Sequence, residues 1–80
     1  MKTQIESYIY HDEHFAEINA IIGICTEATD ETDLRARIEE IDDWKIDGVR
    51  WGFGGNHFWL SEEHGSKGFM RILLVDFTNQ

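Results

Sequence analysis

The stretch from Phe69 to Phe77 limits what this chain can become more than any other. Read as an extended strand, it places Phe69, Leu73, Val75 and Phe77 on one side and Met70, Ile72 and Leu74 on the other. A strand that is apolar on both sides is normally a central strand, covered above and below. The rest of the chain must therefore supply neighbours for its two edges and layers for its two faces.

Three other segments read as strands. Residues 4 to 10 (Gln-Ile-Glu-Ser-Tyr-Ile-Tyr) are rich in β-branched and aromatic types, with Ile5, Ser7 and Ile9 on one face and Glu6, Tyr8 and Tyr10 on the other. Val49 to Phe53 and His57 to Ser61 form a pair around Gly54-Gly55-Asn56, a hairpin loop in which Gly and Asn supply positive φ. Phe15 to Thr26 is ambiguous. As a helix it aligns Phe15, Ile18, Ile22 and Cys25, with Asp12 as a cap; as a strand it aligns Ala16, Ile18, Ala20, Ile22 and Ile24. The isoleucines and Gly23 favour the strand, because a glycine inside a helix costs about 1 kcal/mol relative to alanine.

Residues 30 to 44 are the firm helix. Thr29 or Asp30 can cap it, and Leu34, Ile38, Ile41 and Trp44 share a face. The expected layout is β-β-α-β-β-β, an α+β fold in which an antiparallel sheet carries one amphipathic acidic helix; the alternative is β-α-α-β-β-β. Ile5, Ile9, Ile18 and Ile22 would pack beneath the helix. The other sheet face would collect Tyr8, Tyr10, Trp51, Phe53 and Trp59, types that dominate binding hot spots.

Eighty residues suit one domain, 1 to 80, with a small core and marginal stability. Cys25 is the lone cysteine, so no internal disulfide can form, and a reducing compartment is the natural setting. With 41% hydrophobic and 29% charged residues the composition is that of a folded chain. No apolar run approaches the roughly 18 residues that span a bilayer, and the first residues lack the apolar stretch of a signal peptide, so a cytoplasmic protein is expected.

Charge is the strongest functional signal. Glu27 to Asp47 holds nine of the sixteen acidic residues and three of the seven basic ones, a formal −6 of the chain's −9. Such a field repels nucleic acid and anionic membranes and attracts basic protein surfaces. Acids in the first helical turn are accounted for by capping and the helix dipole. Glu39, Glu40, Asp42 and Asp43 lie at the other end, where each opposes the dipole by a few tenths of a kcal/mol. They are the leading candidates for a partner-binding surface, with Trp51, Trp59, Tyr8 and Tyr10 on the sheet as the rival.

Catalytic and metal signatures are weak. His11-Asp12-Glu13-His14 with His57, His64 and Glu62-Glu63 contains zinc-ligand types, but without a known spacing. Cys25 sits in an apolar run, as an inert buried thiol does. Gly52-Phe53-Gly54-Gly55-Asn56 lacks the Lys-Ser/Thr ending and the following helix of a phosphate loop. No cofactor is expected and the chain reads as non-enzymatic. The leading reading is an acidic module that occupies a basic site on another protein, as immunity, anti-restriction and anti-CRISPR proteins do; the likeness is one of size, charge and architecture only. The alternative is a small homo-oligomeric domain of a mobile genetic element, binding itself or a small ligand through its aromatic sheet face.

Overall fold

The computed structural model describes residues 2–6, 12–41 and 46–78, and of Asp12 the backbone alone. Strand β1 (Lys2–Ile5) is followed by a short 3-10 turn (Asp12–His14) and two helices, α1 (Phe15–Glu27) and α2 (Glu31–Glu39). Three strands complete the chain: β2 (Val49–Gly54), β3 (His57–Glu63) and β4 (Phe69–Asp76). All pairings are antiparallel, in the order β1-β4-β3-β2. The α+β class and the antiparallel sheet are as the sequence leads one to expect, and β4 is a central strand.

Residues 15 to 26 form a helix, not the strand that their isoleucines favoured, so the layout is β-α-α-β-β-β. The reason is burial. On the helix Ile18, Ile21 and Cys25 point into one core with Leu34 and Ile38 of α2, and Ile22 and Ile24 pack at its margin. Only a helix brings residues three and seven positions apart onto one stripe. The N-cap is His14 rather than Asp12, and no side-chain cap bond forms there. Phe15, which the helical reading aligns with Ile18, Ile22 and Cys25, is mostly exposed.

Gly23 sits within α1, and a Cβ added to it meets nothing within 4 Å. No close packing requires a glycine there. Gly23→Ala is expected to stabilise the protein by up to about 1 kcal/mol. That corresponds to a melting temperature higher by roughly 4–8 °C for a domain of this size, read by circular dichroism. A lower melting temperature would show that the glycine is used in a way its surroundings do not reveal.

The start of α2 is built by its acids. Asp30 is the N-cap and accepts from the Asp33 backbone N–H at 2.8 Å. The Asp33 carboxylate in turn accepts from the Thr29 N–H at 2.9 Å and from Arg37 at 3.1 Å. Glu31 receives Arg35 at 3.0 Å. The Thr29 backbone bond, then Arg37, hold the Asp33 carboxyl below its ordinary range. A depressed pKa gives stability that is complete above the usual carboxylate value near pH 4 and is lost as pH falls through the lowered one. Thermal melts should therefore drop most steeply below about pH 4, and Asp33→Asn should flatten that acid limb. An unchanged limb in the variant would remove Asp33 from the account.

Both helices cover the same side of the sheet. Phe58 and Leu60 of β3, Leu73 and Val75 of β4, and Phe77 just beyond complete their core. Residues directly opposite in an antiparallel ladder share a face. Thus Val49, Trp51 and Phe53 of β2, opposite Glu62, Leu60 and Phe58, also lie on the helix side. Ile5, opposite Leu73, shares that side but at an edge strand, where it is 61% exposed. Between β3 and β4 the register passes from Leu60–Leu73 to Ser61–Arg71, so Ile72 is an extra, bulged residue. The bulge lets the neighbours Ile72 and Leu73 both be buried. It also reverses strand parity, which places Phe69 on the side opposite Leu73 and Val75, where a simple alternation would have kept it with them.

Candidate functional site

Two surfaces emerge from this architecture. The first is the helical layer. The segment 12–41 holds nine acidic residues and two arginines, a net of −7, while the described sheet-side segments 2–6 and 46–78 hold five acids and four basic residues, a net of −1. Charge is therefore segregated by layer. The two arginines are consumed locally: Arg35 pairs with Glu31, and Arg37 with Asp33 and, at 3.8 Å, with Glu27. Arg35 also lies 4.0 Å above the Phe53 ring centre, tying α2 to the sheet through a cation–π contact.

Glu39 is the last residue of α2 and Glu40 its C-cap, and both are exposed. Among the described residues no basic side chain comes within ion-pair distance of Glu17, Glu39 or Glu40. Asp42 and Asp43 lie outside the described residues. Among the described residues, the C-terminal end of α2, against the helix dipole, and Glu17 on α1 are thus acidic surface with no ion-pair partner.

The second surface is the sheet face away from the helices. Trp59 and Leu74 face it as cross-strand neighbours, and so does Phe69, which is 40% exposed. Trp59 and Trp51, expected together, are on opposite faces: Trp59 stands opposite Gly52, and Trp51 opposite Leu60. Trp51 and Phe53 instead line the core, with ring centres 6.0 and 5.2 Å from Phe58. Tyr8 and Tyr10 lie outside the described residues. The cause is the hairpin. Gly54 pairs with His57, so the loop is the two residues Gly55-Asn56, and only Gly55 takes positive φ, at 55°. A three-residue loop would have set Trp51 opposite Trp59; one residue fewer reverses the face.

Sequence reasoning missed Phe69, Arg71, Leu74 and Gly52 on this face. A Cβ at Gly52 would lie 2.9 Å from the Trp59 ring, and one at Gly54 would lie 3.2 Å from the His57 ring. The bare glycines let both rings lie down across the neighbouring strand. Arg71 makes a two-point ion pair with Glu6, which raises its already high pKa. Arg50 stacks 4.4 Å from the Phe69 ring centre. The Asp76 carboxylate accepts from the Thr78 hydroxyl at 2.6 Å and its N–H at 2.9 Å, and these bonds, with His57 and Lys2 nearby, lower its pKa. A shallow groove of about 500 Å³ runs from Gly54–His57 past Arg71 and Leu74 to Asp76 and Thr78.

The described histidines do not converge, and His11 lies outside the described residues. His57 is on the open face, whereas Glu13 and His14 line a separate hollow of about 420 Å³ with Asp47, Gly48 and Glu63. Among the described residues no group of three or more His, Cys, Asp or Glu is placed to hold a metal. Glu62 is fully buried on the helix side, not exposed. Cys25 is buried too, and burial pushes its thiol up to about 12. At neutral pH it is a thiol, not a nucleophilic thiolate.

The arrangement defines a two-layer α+β module, a helix pair on one face of a four-stranded antiparallel sheet. The chain belongs to the family described as "Domain of unknown function (DUF8466)", which matches residues 1–75. No curated protein and no solved structure shows significant similarity to it. Among the described residues no helix is long and apolar enough to cross a membrane.

Proposed function

We propose that this chain is a small cytoplasmic, non-enzymatic binding module that presents its acidic helical layer to a basic surface on another protein, as an inhibitor or nucleic-acid mimic of the immunity or anti-defence kind. The observation that carries this reading is the segregation of charge. The helical layer holds a net −7, the sheet-side segments −1, and Glu39 and Glu40 project from the end of α2 with no cation beside them among the described residues. A rigid field of one sign steers a partner of the other sign and orients it on arrival.

The test is capture of partners from the native host on the immobilised chain, at about 0.05 M and about 0.5 M salt, with the bound proteins identified by mass spectrometry. A basic protein held at low salt and released at high salt is the expected result. A captured set that does not change with salt removes the reading. The open sheet face supports a second and separate reading, contact with another copy of the chain, because Trp59, Phe69 and Leu74 lie there with neither described helix over them.

A further inference from the structure

We infer that two copies of this chain associate back to back through the open faces of their sheets, leaving the two acidic helical layers pointing outward in opposite directions, so that the assembled unit is bivalent. The inference rests on the sheet-face reading and is independent of the acidic-layer reading. Two observations carry it, and the area of the face sets its strength.

The first is local charge. Each copy bears −9, so most approaches between copies are repulsive. The open face is the exception. Its strands and their immediate flanks contribute Lys2, Arg50 and Arg71 against Glu6, Glu63 and Asp76, three charges of each sign. Within one copy Arg71 is held by Glu6 and Arg50 lies over Phe69. A neutral face asks no counter-charge of its partner, and a second copy offers none.

The second is shape. Trp59 and His57 lie down over Gly52 and Gly54 rather than standing off the sheet. The result is a low surface of ring faces beside the shallow groove that passes Leu74, which another sheet face can approach. Sheets pack face to face at about 10 Å in this way.

Area sets the strength of the contact. Four strands spaced about 4.8 Å apart and roughly six residues long present a footprint near 20 Å by 19 Å. Two such faces would remove on the order of 800 Å² from water, below the range of stable specific complexes. The dimer is therefore a weak and concentration-dependent one. Its salt response is opposite to that of the acidic layer. Screening, with a Debye length of roughly 10 Å at 0.1 M and 3 Å at 1 M, relieves repulsion between two like-charged copies. Self-association should tighten several-fold over the salt range in which a basic partner is released.

Sedimentation equilibrium from about 10 μM to about 1 mM, at low and high salt, tests this on the intact chain. Wild type should dimerise more tightly at high salt. Phe69→Lys and Trp59→Glu should each weaken the dimer by about tenfold or more. Phe69 is exposed enough for its variant to keep the fold, which far-UV circular dichroism checks. Glu39→Lys/Glu40→Lys should leave the dimer intact or strengthen it. A monomer at every concentration and salt overturns the inference. So does a dimer indifferent to both sheet-face variants, which would point to the outer edge of β2, or one abolished by the Glu39/Glu40 reversal, which would place the contact on the helices. None of these outcomes bears on capture of a basic protein, so the two readings fail separately.

Discussion

Phe58→Ala should remove a large share of the protein's stability. Phe58 is fully buried on β3, an interior strand, opposite Phe53 on one side and Val75 on the other. Its ring lies 5.2 Å from that of Phe53 and 6.0 Å from that of Trp51. Truncating a buried phenylalanine costs about 3–5 kcal/mol, through lost transfer energy and the cavity left behind. An 80-residue domain commonly holds roughly 4–12 kcal/mol in total. The loss is thus a large share of the whole, and no disulfide is available to compensate, since Cys25 is free. Thermal and urea unfolding should show a melting point lower by about 15 °C or more, or no cooperative transition at all. A loss below about 1 kcal/mol would mean that the helix pair is not seated on β3 as described.

How much of this was legible in the residues depends on which physical signal each element carries. The strand over 69 to 77 and a helix starting after Asp30 are plain, because a doubly apolar run and a capped, period-3.6 stripe each have one good solution; the helix nevertheless ends at Glu39, short of the expected residue 44, and Trp44 lies outside the described residues. Helix α1 was misread because its isoleucines satisfy both periods; the core beneath Leu34 and Ile38 decides between them, and a core is not a local property. The partition of aromatics was misread for a smaller reason. The Gly55-Asn56 turn was in view, and a two-residue hairpin would have placed Trp51 opposite Leu60. The bulge at Ile72, which sends Phe69 to the open face, leaves no mark in one sequence. Of the expected interaction residues, Glu39 and Glu40 are exposed and free of cations among the described residues, Trp59 is on the open face, and Trp51 belongs to the core.

The second large effect concerns the acidic layer. Glu39→Lys/Glu40→Lys takes the formal charge from −9 to −5 at the end of α2 where no described cation offsets it. Electrostatic steering raises association rates by about 10- to 1000-fold in favourable cases, and it depends on charges close to the contact. Reversing both should slow association with a basic partner by about tenfold or more at low salt. Neither residue is packed in the core, and removing acids from a helix C-terminus relieves an unfavourable dipole interaction of a few tenths of a kcal/mol each. The fold should therefore be at least as stable as before, so any loss of binding reports on contact and not on unfolding.

The most direct measurement is the association rate of the captured host protein with wild type and with Glu39→Lys/Glu40→Lys, followed as salt rises from about 0.05 M to about 0.5 M. The predicted result is a steep fall with salt for wild type, and a slower, flatter response for the variant. Equal rates and equal salt slopes for the two chains would contradict the assignment of the acidic helical layer as the binding surface.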